Sequence, residues 1–199
     1  MKKPLIMGIL ALFGISCSQK NSSDENSMLL WEDDYLMVEI MSSKNLEYAL
    51  NETGRISEFA EKHSDGNGFS EITAIKEKPI ETKQLEINEN DFVELLNSVG
   101  IKKYPKLTYA GIGEPQIIEN SKTKAFGSHS SAIFYDGENN KIEHIWFSTY
   151  DWKNIQKTKI ADGLNAIGEK YDMIMVDFAS EEVIDLKKKS EIEKYLKTE

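Results

Sequence analysis

Leu5 to Ile15 (LIMGILALFGI) is an uncharged, mostly apolar run behind the basic start Met1-Lys2-Lys3, and it runs into Gly14-Ile15-Ser16-Cys17. A stable membrane-crossing helix needs roughly 20 apolar residues for a hydrocarbon core about 30 Å thick, so this run is too short to span and fits the core of a secretion signal. It is removed from the fold. The remainder, about 180 residues, is enough for one domain with a sizeable core. Cys17 is the only cysteine. No bridge can form inside that domain, so packing and hydrogen bonds must hold it even in an oxidising compartment.

Gly14 and Ser16 supply the small side chains that a cleavage site requires. The stretch Leu12 to Cys17 resembles the lipobox of bacterial lipoproteins, although Gly14 stands where most members carry leucine. The resemblance implies that Cys17 becomes the lipidated first residue of the mature chain, with residues 1–16 as signal peptide. Each buried acyl methylene contributes about 0.8 kcal/mol, so two or three chains, palmitate among them, make a lasting anchor. The alternative is a plain secretory signal cut near Ser16 or Ser18. The expected address is the bacterial cell envelope, on the outer membrane facing the periplasm or the outside. Asp24 and Glu25 are similar to the acidic patches that follow the lipidated cysteine of surface-exposed lipoproteins in some Gram-negative groups.

The chain has 34 acids against 24 bases, and the signal takes away two lysines and no acid. Such a balance excludes a nucleic-acid partner, whose phosphates call for a basic stripe. It suits solubility, and by long-range steering it suits a basic partner.

Ser18 to Ser27 (SQKNSSDENS) has no apolar residue to bury and is expected to act as a tether, reaching roughly 35 Å when extended. The predicted fold is α+β, one domain over 28–199 with a largely antiparallel sheet and packed helices. Tyr35–Met41 reads as a strand, with Ser42-Ser43 as N-cap for a helix over 44–63 that buries Leu46, Ala49, Leu50, Thr53, Ile56 and Ala60. A hairpin turning at Glu52-Thr53-Gly54 is the competing reading. A strand is expected over Phe69–Ile75, pairing with Leu85–Ile87. Asp91-Phe92-Val93-Glu94 has the form of a capping box, opening a short helix that Gly100 stops.

Ser130–Thr149 is the clearest hairpin, with Gly137-Glu138-Asn139-Asn140 as its turn. A four-residue loop sets Asp136 opposite Lys141. It puts Ile133, Tyr135, His144, Trp146 and Ser148 on one face and Ala132, Phe134, Ile145 and Phe147 on the other. Ile160, Leu164, Ile167 and Tyr171 mark a helix. Two antiparallel strands (Met173–Phe178 and Val183–Leu186) follow, then a last helix behind the capping box Ser190–Glu193, burying Ile192, Tyr195 and Leu196. This ending, YDMIMVDF, VIDL and a short helix closing in KYL, resembles the tail of small α+β domains among bacterial toxin-immunity proteins. The likeness consists of packing positions and brings no functional residue with it.

Residues arranged for chemistry are few. His63, His129 and His144 lack the spacing of a metal site, and Asp65 and Asn67 fail as a calcium loop because Phe69 and Lys76 stand where oxygen ligands are needed. Gly111–Pro115 lacks the third glycine of a dinucleotide loop, and Gly127-Ser128-His129-Ser130 is no nucleophile elbow. No metal or cofactor is called for. Glu32-Asp33-Asp34 reads as a solvated acidic face. Trp31, Trp146, Tyr150 and Trp152 are core or a binding patch, with Trp146, Tyr150 and Trp152 the candidate patch at the hairpin end. The expected function is a non-catalytic binding module on a lipid anchor, in its concrete form an immunity-type protein neutralising a basic toxin. The rivals are an envelope hydrolase with carboxylate chemistry and a structural envelope lipoprotein.

Overall fold

The computed structural model describes residues 27–64, 70–71, 73–118, 121–128, 131–149 and 157–197. Cys17 and residues 18–26, Asp65–Phe69, His129, Tyr150 and Trp152 lie outside the described residues, while Ser27, the last residue of the expected tether, is buried as the first residue of a strand. Among the described residues, ten strands and four α-helices make an α+β domain: β1 (Ser27–Trp31), β2 (Val38–Ser42), α1 (Leu46–His63), α2 (Glu89–Ser98), β3 (Lys102–Lys103), β4 (Lys106–Ala110), β5 (Gln116–Ile118), β6 (Thr123–Ser128), β7 (Ser131–Glu138), β8 (Lys141–Thr149), α3 (Lys157–Tyr171), β9 (Met173–Asp177), β10 (Glu182–Asp185) and α4 (Lys189–Tyr195). Seven strands form one antiparallel sheet in the order β10-β9-β2-β8-β7-β6-β3. A second sheet, β1-β4-β5, contains the one parallel pairing among the described strands, from Ser27↔Lys106 to Trp31↔Ala110.

The alternation of side chains along a strand explains the layers. On one face of the large sheet Ile40, Ile133, Tyr135, Ile145, Phe147, Met173 and Met175 meet Phe92 and Leu96 of α2, Ile160, Leu164 and Ile167 of α3, and Ile192 of α4 with Leu196 at its C-cap. The alternate residues point the other way. Met41, Ile174 and Val176 lie under Ala49 and Ile56 of α1, while Ala132, Phe134 and Trp146 lie under Met28, Leu30 and Leu107 of the small sheet. The sheet is thus covered on both sides, and each large apolar side chain buried in it contributes about 1.5–3 kcal/mol.

The C-terminal unit follows the sequence closely. β9 and β10 pair antiparallel from Glu182↔Asp177, and the Asp177 carboxylate fixes the tight turn by accepting from the backbone N–H groups of Ala179 (2.9 Å) and Ser180 (3.1 Å). Its other oxygen accepts from the Tyr195 hydroxyl at 2.9 Å, which ties α4 down, and Ile192, Tyr195 and Leu196 are buried as expected. The Ser190–Glu193 box is not the cap: α4 begins at Lys189, and Glu191 accepts from Asp185 N instead.

Elsewhere the structure corrects the reading. The chain of α1 is helical through Gly54 with no hairpin, but Leu46 and Leu50 are exposed and Glu52 is buried. The cause lies in residues 73–80, which form no strand and lie along α1. Arg55 Nη1 donates to Thr73 Oγ1 (2.8 Å), Lys76 N to Glu52 Oε1 (2.7 Å), and Asn45 exchanges two hydrogen bonds with the Ile80 backbone. Leu85 ends a 3-10 turn, and Ile87 and Asn88 pair with the start of β8. The cap of α2 is Asn88, whose side chain accepts from Asn90 N and Asp91 N, and Gly100 at φ 74 ends that helix as expected.

The hairpin turns on two residues, not four. Asn139 and Asn140 both take positive φ (50 and 61), so Glu138 pairs with Lys141. An extra residue in β8, Glu143, then shifts the register so that Asp136 faces His144 and Phe134 faces Trp146. A slip of one residue sends a side chain to the opposite face. His144, Trp146 and Ser148 therefore join Ala132 and Phe134, while Ile145 and Phe147 join Ile133 and Tyr135.

Candidate functional site

The chain leaves the small sheet at Trp31 and must reach β2 in the large one, and the connecting strap is Trp31–Met37 (WEDDYLM). Glu32–Asp34 form one 3-10 turn, closed by Tyr35 N donating to Glu32 O (3.3 Å), and Leu36 sits at φ 58. A left-handed leucine carries backbone strain of order 1 kcal/mol, which neighbouring contacts must hold in place. Three contacts do so. Tyr35 Oη donates to Asp136 Oδ2 at 3.1 Å, Ser148 Oγ donates to Asp34 Oδ2 at 2.8 Å, and Phe178 N donates to Met37 O at 3.1 Å.

The strap's outer side is unusual for a surface turn. Trp31 and Tyr35 are each 42% exposed and Met37 is 38% exposed, with exposed Glu32 and Asp33 between them. Its inner side lies on polar groups. The Tyr35 ring meets Trp146 edge-on at 4.9 Å and His144 at 6.3 Å. Asp136, 1% exposed, also accepts from Thr123 Oγ1 at 2.6 Å and faces the Lys122 ammonium at 3.5 Å. Lys122 in turn lies 3.7 Å from Glu143. Next to these, Lys78 lies between Glu39 (2.6 Å) and Glu81 (3.0 Å). Strands β7 and β8 and the segment 78–81 thus bring Glu81, Asp136, Glu143 and Lys78 near His144, while Glu39 on β2 pairs with Lys78.

The electrostatics follow from burial and these neighbours. Burial, with Lys78 beside it, pushes the His144 imidazole below its ordinary value. Burial and the Asp136 carboxylate push the Tyr35 hydroxyl far up, so it stays protonated and donates. Burial raises the Glu39 carboxyl and opposes the charge of Lys78; on the lysine, Glu39 and Glu81 outweigh it, and the ammonium is held above its usual range. Among the described residues, His144 Nδ1 and Trp146 Nε1 are buried without a hydrogen-bond partner.

Trp146 is fully buried and stacked on Phe134 at 5.4 Å, so it belongs to the core and not to a surface patch at the hairpin end. The register shift at Glu143 put it there. His63 closes α1, stacked on Phe59 at 4.2 Å and 3.6 Å from Glu71. Sequence reasoning passed over Tyr35, Met37, Asp136 and Lys78. One signal was available: Glu39 is an acid inside the apolar run YLMVEIM, and a buried carboxylate requires a partner. Among the described residues no group of three His, Cys, Asp or Glu is arranged to hold a metal ion, and no helix is long and apolar enough to cross a membrane. Compared with protein-family models, with curated proteins and with solved structures, the chain matches none.

Proposed function

We propose that the protein is a lipid-anchored bacterial envelope protein whose domain is a non-catalytic binding module for a basic protein partner. The stretch Leu12–Cys17 supports the anchor. The observation that carries the binding reading is the strap, a rigidly held turn offering Trp31, Tyr35 and Met37 round the acids Glu32 and Asp33. Tryptophan, tyrosine and methionine are enriched at interfaces, and flanking acids speed the approach of a basic surface. In its concrete form the partner is a toxin delivered by a neighbouring cell, and the protein confers immunity.

Two experiments test the two halves. Metabolic labelling with a lipid precursor should mark the wild type and fail on Cys17→Ala. Loss of the gene should sensitise the cell to a competitor, and Trp31→Ala combined with Asp33→Asn should restore protection poorly, with partner affinity reduced about 30-fold, as for a hot spot. Equal survival of deleted and intact strains against every competitor sinks the immunity reading.

Glu81, Asp136 and Glu143 near His144, with Glu39 beside them on Lys78, favour a second reading, an envelope hydrolase with carboxylate acid–base chemistry. Glycoside hydrolysis needs two carboxyl groups roughly 5–10 Å apart, one of them raised, and burial raises Glu39. Turnover of envelope polysaccharide that Glu39→Gln and Asp136→Asn abolish would establish it; wild-type protein inert on that substrate removes it.

A further inference from the structure

Eight large apolar side chains stand exposed among the described residues, and five of them lie in two stretches: Trp31, Tyr35 and Met37 on the strap, Ile112 and Ile117 on the hairpin β4–β5. The other three, Leu46, Leu50 and Ile75, belong to α1 and the segment along it. Apolar side chains scattered singly over a surface are ordinary, whereas a contiguous group marks a place of contact. The strap and the hairpin are contiguous. Trp31 pairs with Ala110 at the end of β4, and Gly111 comes next. The Glu32 carboxylate accepts from the Tyr109 hydroxyl and lies so close to Gly111 that a Cβ there would collide with Glu32 Oε2. Ile117 pairs with Thr108, which pairs with Leu29, so it shares the sheet face of Trp31.

The charge on these stretches has one sign. Residues 27–43 and 107–118 hold no lysine, arginine or histidine, while Glu32, Asp33 and Glu114 are exposed. Lys122, which shares Asp136 with Tyr35, has Glu143 as its second carboxylate. Ile112 is fully exposed between Gly111 and Gly113, the latter at φ 111. An isoleucine so placed on a loop tip finds no burial within its own chain, and a hollow in another molecule is what would cover it.

We propose that the tip of the hairpin β4–β5 is the second half of the strap's interface, with Ile112 as apolar anchor and Glu114 joining Asp33 in charge, and that the partner presents an apolar hollow ringed by lysine or arginine. This deepens the binding reading given above and rests on it. Full burial of an isoleucine is worth about 10- to 100-fold in affinity. The exposed acids act chiefly on the rate of encounter, and a base in their place repels a basic surface.

The experiment uses the full lipidated chain in cells, and its probe is a competitor strain that kills the deleted strain. The deleted strain is complemented with the wild type, Trp31→Ala, Ile112→Ser, Glu114→Gln, Glu114→Lys or Leu50→Ser at matched levels, and survival is counted over a dilution series of the competitor. Ile112→Ser should lower the tolerated dose about tenfold or more, as Trp31→Ala does. Glu114→Lys should lower it further than Glu114→Gln, and Leu50→Ser, exposed on α1, should protect like the wild type. Thermal melts of purified Ile112→Ser should match the wild type, which separates lost contact from lost fold. Full protection by Ile112→Ser overturns the hairpin's part, and if Trp31→Ala fails in the same assay the strap's part stands. Equal loss in Leu50→Ser and Ile112→Ser also overturns it, because the effect would then belong to any exposed apolar side chain. Survival of the deleted strain against every competitor removes the binding reading and this interface with it.

Discussion

Tyr35 and His144 show how much one side chain decides at the strap. The Tyr35 hydroxyl donates to a carboxylate that is 1% exposed, so Tyr35→Phe leaves Asp136 short of one donor while Thr123 and Lys122 remain. A loss of about 1–2 kcal/mol in urea unfolding is expected, and an unchanged midpoint would show that the bond contributes nothing. His144 gives a pH dependence. Its folded-state pKa lies below the ordinary 6.5, so below that pH the unfolded chain takes up the proton more readily than the folded one. Stability from this site is therefore complete above about pH 7 and is lost as the pH falls through 6.5 toward the folded value. Thermal melts of the wild type should decline over that window relative to His144→Gln; parallel profiles would contradict it.

Among the elements, α1 and α3 carry glycines with opposite consequences. A methyl group added at Gly54, in exposed mid-α1, would meet nothing within 4 Å, so Gly54→Ala should stabilise by about 0.5–1 kcal/mol. Gly168 in α3 lies against the backbone of Leu186, whose carbonyl also accepts from Asn165 Nδ2 at 2.8 Å, and Gly168→Ala should cost about 1–3 kcal/mol. Chemical denaturation of the pair checks both signs at once. The segment 73–81 supplies another test, since it brings Lys78 to Glu39 on β2. Lys78→Met alone strands a buried carboxylate and should cost about 3 kcal/mol, whereas Lys78→Met with Glu39→Leu should recover most of it; additive losses in the double-mutant cycle would refute the coupling. These elements also mark where local reading stops. The pattern of α3 and β9 was legible because each buries one periodic face. The arc chosen for α1 was displaced because Glu52 and Asn45 satisfy the backbone of a segment some 25 to 35 residues on, and no local periodicity records that.

For the molecule as a whole, β7 ties the layers together, since Ile133 and Tyr135 enter one core and Ala132 and Phe134 the other. Phe134→Ala, beneath the small sheet, and Leu164→Ala, in the helical layer, should therefore each lower one shared unfolding transition, by about 3–5 and 2–5 kcal/mol. Circular dichroism and tryptophan fluorescence that separate in either variant would show that the two faces melt independently. The sequence alone determined the alternation of apolar side chains, the glycine stop of α2, the paired C-terminal strands and the overall α+β class, because such features arise from residues a few positions apart. Tertiary structure alone decided which face Trp146 and His144 take, since one extra residue at Glu143 inverts the faces of a hairpin whose composition suits either arrangement, whereas the two-residue turn moves the pairing by two and leaves the faces unchanged. It alone also gathered Glu39, Lys78, Asp136 and Tyr35, whose attraction depends on distances in space that spacing along the chain does not encode.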